Sequence, residues 1–160
     1  MSKQINSEFD MQARIAKSFD ELVKSKVNNH QALNDIEIKH LCPVAFKDKM
    51  TKEEITKLGL SKHYSFVPTV NVINDFRSLG YEVVDAKQVK ARKKSTNGYQ
   101  KHLITFEHPK YKAEGNKEYP QILLTNSHDG GNAFTLSAGI FRLVCSNGLV
   151  IKTEDYGSAR

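Results

Sequence analysis

The chain has 160 residues, with 24 Lys and Arg against 18 Asp and Glu, a formal net charge of +6 and a pI near 9.2. That length fits one domain able to bury about 70% of its unfolded surface, and the modest basic excess permits a polyanionic partner without demanding one. No apolar run reaches the length of a signal-peptide core or a membrane span, and the two cysteines, Cys42 and Cys145, read as free thiols of a cytoplasmic protein.

Residues 1–6 are polar and read as loose. Phe9, Met11, Ile15, Phe19, Leu22 and Val23 then recur near helical spacing, which predicts a helix over 9–27 stopped by Asn28, Asn29 and His30. Asp10, Asp20 and Glu21 offset its cations, so a membrane-surface role is disfavoured. The chain therefore divides into an N-terminal helical segment, 1–30, and an α+β domain, 31–160. Within 32–40, Leu33, Ile36 and Ile38 alternate with polar neighbours and predict a short strand that Pro43 ends. Thr51 can cap a short helix carrying Glu53 and Glu54 in its first turn, with Gly59 closing it. The clearest helix is 70–79, with Thr69 as N-cap, Gly80 just past its end, and Val72, Ile73, Phe76 and Leu79 as its buried stripe. Strands follow at 81–84, 100–106 and 121–125, the last preceded by Pro120, which can sit only at a strand's start. A helix leading into successive strands predicts an α+β fold with a mainly antiparallel sheet.

Between the first two strands, Lys87, Lys90, Arg92, Lys93, Lys94 and Lys101 fall within fifteen residues with no acid among them. Asn97 and Gly98 supply a turn, and Tyr99 lies beside them. One reading is a basic hairpin that follows a phosphate backbone, with Tyr99 stacking on a base. The other is a solvated tip whose lysines deter edge pairing. The next loop, 108–119, is close to neutral, with a turn at Gly115 and Asn116.

Residues 124–151 hold Ser127, His128, Asp129, Asn132, Arg142, Cys145 and Asn147 between apolar runs. These seven form a candidate pocket. Asn126 to Gly131 reads as a turn. Beyond it, the spacing of Ile140, Phe141, Leu143 and Val144 fits a helix over 137–146, while Asn147 and Gly148 equally fit a hairpin turn between strands at 143–146 and 149–152. Both readings stand, and only the helical one brings Arg142 and Cys145 onto the face nearest His128.

The run NSHDG followed by GIFRLVCSNGLV resembles a phage- and plasmid-borne family of unknown function, DUF932. Upstream segments LCPVAF (41–46) and YSFVPT (64–69), Gly80-Tyr81 and Lys101-His102 extend the resemblance over 36–151. It implies a setting in mobile elements and no particular activity. Members are usually longer, which implies a short or trimmed member here. Cys42 stands where a small or aliphatic residue is expected, which argues against a shared chemical role for its thiol.

Nucleotide-binding and hydrolase motifs are absent from the sequence. A thiolate site using Cys145, His128 and Asp129, or a metal site using His128, Asp129 and His102 or His63, is chemically allowed but lacks supporting spacing. No catalytic residue, metal or cofactor is assigned. The expectation is a protein that binds nucleic acid, single-stranded or without sequence preference, in phage or plasmid DNA metabolism. The alternatives are a small enzyme at the His128 region and a factor that binds a host or phage protein.

Overall fold

The computed structural model of the protein describes residues 2–61, 63–112, 117–143 and 150–159. Helix α1 (Ser2–Asn28) opens the chain, so the first residues, read as loose, are helical. Once a helix is nucleated, each further residue adds a bond at little cost. Only its final turns reach the core, through Phe19, Val23 and Val27, while Phe9, Met11, Ile15 and Leu22 are exposed.

Residues 32–40, expected as a strand, instead form helix α2 (Asp35–Leu41). The cause is a capping box. The Asn34 side chain accepts the Glu37 amide at 2.9 Å, and Glu37 Oε1 accepts the Asn34 amide at 2.9 Å, satisfying donors that a helix start leaves open. The Leu33 amide, donated to Val83 at 2.8 Å, is the one strand-like contact of the segment. A 3-10 turn at Pro43–Phe46 follows.

Helix α3 (Lys52–Lys57) carries the expected Thr51 cap and stops before Gly59 at φ +66°. In helix α4 (Thr69–Ser78) the N-cap is Pro68, not Thr69, whose hydroxyl bonds His102 instead. Ile73 is fully buried and Val72 and Phe76 pack against the core. Leu79 lies past the last turn and is exposed, so it does not belong to the stripe.

Five strands follow: β1 (Glu82–Gln88), β2 (His102–Glu107), β3 (Glu118–Asn126), β4 (Thr135–Leu143) and β5 (Val150–Ala159). They pair in chain order, every pair antiparallel, giving a meander and an α+β single domain. The helical reading of 137–146 is overturned. Residues 135–143 form a strand paired with β3 from Thr125↔Thr135 to Glu118↔Arg142 and with β5 on the other side. Pairing on both sides supplies the backbone bonds a helix would have made internally, and period two places Leu136, Ala138 and Ile140 opposite Leu124, Ile122 and Pro120. The alternative of strands on either side of Asn147 and Gly148 agrees with this antiparallel pair in type, but its register is Leu143↔Val150 and Phe141↔Lys152, where a two-residue turn at 147–148 would set Leu143 opposite Lys152. Residues 144–149, with Cys145 and Asn147, lie outside the described residues, as does the turn expected at Gly115 and Asn116.

Pro120 is the third residue of β3, not its first. It lies beyond the last pair with β2, Phe106↔Ile122, so among the described residues this stretch pairs on the β4 side only and tolerates a missing N–H as an edge strand does. Alternation along β2 sends Ile104 and Phe106 into the core with Val23, Ile38, Ile73 and Leu124, each such side chain contributing roughly 1.5–3 kcal/mol on burial. Leu103, Thr105 and Glu107 occupy the other face. Among the described residues no helix is long and apolar enough to cross a membrane.

Candidate functional site

The basic cluster occupies the connection between β1 and β2. Lys87 stands in β1 and Lys101 just precedes β2, with the Val89 amide bonded to the Lys101 carbonyl at 3.0 Å across the base of the loop. Inside it, Lys94–Thr96 form a 3-10 turn. The Thr96 hydroxyl donates to the Lys93 carbonyl at 3.0 Å, and Gly98 takes φ +99°. Buried Gln100 receives the Gly98 amide at 2.6 Å and donates to Asn97 at 3.3 Å. These bonds give the loop a defined shape, so its cations are fixed in position at their Cα atoms. Lys87, Lys90, Arg92, Lys93, Lys94 and Lys101 are all exposed. Only Lys87 has an ion-pair partner among the described residues, Asp85 at 3.3 Å.

Tyr99 is more constrained than a free stacking platform. Its hydroxyl donates to Glu54 Oε2 at 2.5 Å, and the Lys47 ammonium sits 4.9 Å from its ring centroid while pairing with the same carboxylate oxygen at 2.6 Å. Hydrogen bonds from Lys47 and Tyr99 hold the Glu54 carboxyl down at about 2. The bond to Glu54 raises the Tyr99 phenol to about 12. Lys47 and Glu54 thus belong to this site, although they lie far upstream and carry no local signal.

The Ser127 to Asn132 turn meets the loop through the His128 amide, which donates to the Tyr99 carbonyl at 3.0 Å. Local bonds shape this turn as its composition implies. Ser127 Oγ donates to the Asn132 carbonyl at 3.2 Å and accepts its amide at 3.1 Å, and Asp129 Oδ1 accepts the Gly131 amide at 2.8 Å. Gly130 takes φ +76°. Asp129 and Asn132 line a cavity of about 470 Å³ whose other walls include Lys90, Arg92, Lys93 and Lys101. The two sequence features therefore share one groove. Ser127 and His128 do not line it, being buried beneath. Arg142 stands in β4, while Cys145 and Asn147 lie outside the described residues.

His128 is fully buried and faces inward. Its Nε2–H donates to the Val44 carbonyl at 3.1 Å, its ring meets Phe66 at 4.9 Å and His102 at 5.1 Å, and Nδ1 has no partner among the described residues. Burial first, then the neighbouring His102, pushes its pKa down to about 4. His102 is likewise lowered by burial. Its Nδ1–H donates to the Gln100 carbonyl at 2.9 Å, leaving Nε2 to accept the Thr69 hydroxyl at 2.6 Å. Asn126 completes this seam, donating to Thr69 Oγ1 at 3.1 Å and to the Val67 carbonyl at 2.9 Å. Both imidazoles are therefore neutral supports of the groove's floor. Cys42 is buried and its thiol is pushed up to about 12 by desolvation, which leaves it inert. Among the described residues no group of three or more His, Cys, Asp or Glu is placed to hold a metal ion.

Residues 59–160 match the family described as a domain of unknown function, DUF932. Two proteins of Escherichia coli (strain K12), UPF0380 protein YafZ and UPF0380 protein YfjQ, are each similar at 32% identity over 103 residues, covering 62% of this chain. The chain spans 36% of the length of each of these relatives. No solved structure matches. The matched residues include YSFVPT, the basic loop and the NSHDG turn but not LCPVAF, so the match begins later than 36 and reaches beyond 151. With the match covering most of the chain, from before α4 through all five strands, the protein belongs to the DUF932 family.

Proposed function

We propose that the protein binds nucleic acid through the β1–β2 loop, without strong sequence preference and with single strands favoured, in the DNA metabolism of a phage or plasmid and in the cytoplasm. The observation that carries this reading is the set of exposed cations on a hydrogen-bonded loop, of which only Lys87 is neutralised by an acid within the described residues. Crowded like charges repel, and a polyanion that replaces its own condensed counterions with them gains free energy. The groove beside the loop, walled by Lys90, Arg92, Lys93 and Lys101 and closed by Asp129 and Asn132, gives such a strand a track. Tyr99 is held by Glu54 and Lys47 next to Gln100, which lines the groove, and with the Lys47 ammonium against its ring it offers at most one face to a base.

The test is fluorescence polarisation with labelled single- and double-stranded DNA and RNA across a salt series, on nuclease-treated protein. Binding should be saturable and fall log-linearly with salt. K93Q/K94Q should weaken it and flatten the slope by roughly 1.4 for single strands or 1.8 for duplex, about 0.7 or 0.9 per lost phosphate contact. Salt-insensitive binding, or none at low salt, would remove the proposal.

A further inference from the structure

A second polar cavity, of about 330 Å³, lies where the end of α1 meets the sheet, and Asn28, His30, Asp85, Thr105, Gln121 and Phe141 are among its walls. Beside it sits Glu107, fully buried. His30 Nδ1 lies 2.6 Å from Glu107 Oε2, and the Gln121 amide nitrogen donates to that same oxygen. The Lys112 ammonium stands 2.9 Å from the other oxygen, as an ion pair without hydrogen-bond alignment. Burial works against the charge of Glu107, but His30, Gln121 and Lys112 together outweigh it and lower its pKa.

This network fixes the hydrogen-bonding sense of two neighbours. The carboxylate at 2.6 Å places the proton of His30 on Nδ1 in preference to the Tyr119 hydroxyl at 3.1 Å, and this tautomer leaves Nε2 as an acceptor without a partner among the described residues. Because the Gln121 nitrogen is committed to Glu107, its Oε1 is also an acceptor; it is buried and has no partner among the described residues. A buried amide oxygen without a donor is costly unless something in the cavity supplies one. His30 itself is held at φ +52°, a conformation unfavourable for a residue with a side chain. Its carbonyl is clamped by Lys112 Nζ at 2.5 Å, and its ring is flanked by Tyr119 and Phe141 at 6.1 and 5.5 Å. Asp85 and Lys87 both line the cavity and pair with each other at 3.3 Å, so neither sign of charge dominates the walls, while Phe141 offers a flat apolar wall.

We propose that this cavity binds a small planar ligand that presents an edge of N–H donors, of amidine, amide or amino-heterocycle type, to Gln121 Oε1 and His30 Nε2. The cavity shares only Lys87, in β1, with the basic cluster, and the acceptors Gln121 and His30 belong to it alone, so either assignment can fail without the other. The experiment is NMR titration of the full chain, with assigned His30 ring and Gln121 side-chain amide signals, against benzamidine, benzamide and benzoate. These share a shape and differ in donor capacity. Benzamidine and benzamide should shift both signals saturably, and benzoate should not. Gln121→Met, which removes the acceptor, and His30→Asn, which keeps a side chain tolerant of positive φ, should each weaken binding about tenfold. Equal binding of benzoate, binding of benzamidine alone, shifts mapping elsewhere, or no shifts at millimolar probe would each overturn the proposal. Should a variant fail to fold, the map on the unaltered protein decides.

Discussion

His128 shows how a residue that looks chemical in sequence becomes structural in the fold. Its Nε2–H is committed to the Val44 carbonyl and its Nδ1 has no partner among the described residues, so protonation would bury a charge and an unaccepted N–H beside His102 and within the field of Lys47. Asp129 is the acid that acts the other way, and it does not outweigh them. An imidazole whose folded pKa is depressed binds fewer protons in the folded than in the unfolded chain. The stability it contributes is complete above about 6.5 and is lost as pH falls toward about 4. His128 should account for a loss on the order of 3 kcal/mol across that window, and His102 adds to it in the same direction. Urea unfolding at pH 7.5, 5.5 and 4.5 measures this. His128→Gln should be less stable at pH 7.5 yet flatter across the series, and an unchanged pH dependence would show that other groups carry it. The turn around His128 was legible because Ser127, Asp129 and Gly130 act within a few residues of themselves. Its inward orientation was not, because Val44, Tyr99 and Phe66 reach it from distant segments.

Among the elements, α2 and β4 show the two ways in which periodicity misleads. In α2 the apolar residues Leu33, Ile36 and Ile38 are too few to fix a period, and Asn34 with Glu37 decides the conformation through reciprocal caps. Asn34→Ala removes the side-chain half of that box and should cost about 1 kcal/mol, read as a lower urea midpoint at unchanged slope. In β4 the spacing was helical, and pairing with β3 and β5 prevailed; a single sequence carries no record of which distant strands will be present. Helix α1 was legible in type, since its period is long, but not in where its partner ends. Phe19, Val23 and Val27 meet the core, whereas Phe9, Met11 and Ile15 face solvent. Without tertiary contacts a helical stretch of this length is marginal in water. Amide exchange should therefore be fast over residues 7–16 and slower by orders of magnitude over 20–27. Uniform protection along α1 would mean that the exposed face is covered in solution.

Over the whole molecule, the question is whether the net charge of +6 or its placement governs binding. The meander puts the densest cations on one loop, held by Val89–Lys101 and Tyr99–His128 backbone bonds, while the lysines of α1 and α3 stand on separate elements outside that loop. K93Q/K94Q and K17Q/K57Q each lower the formal charge by two, from +6 to +4, at exposed positions without ion-pair partners among the described residues. If a diffuse field attracts the polyanion, the two double variants should lose affinity equally, since a long-range field reports total charge. If phosphates contact the loop, only K93Q/K94Q should flatten the salt slope, while K17Q/K57Q should keep it and show at most a slower association. Neither pair touches the core, so thermal melting should stay within a few degrees of the parent for both. For K93Q/K94Q it should not fall at all, because relief of repulsion within the loop offsets whatever solvation is lost. Matched losses of slope in the two variants would reduce the loop to one part of a basic surface and remove the groove beside Asp129 as the track.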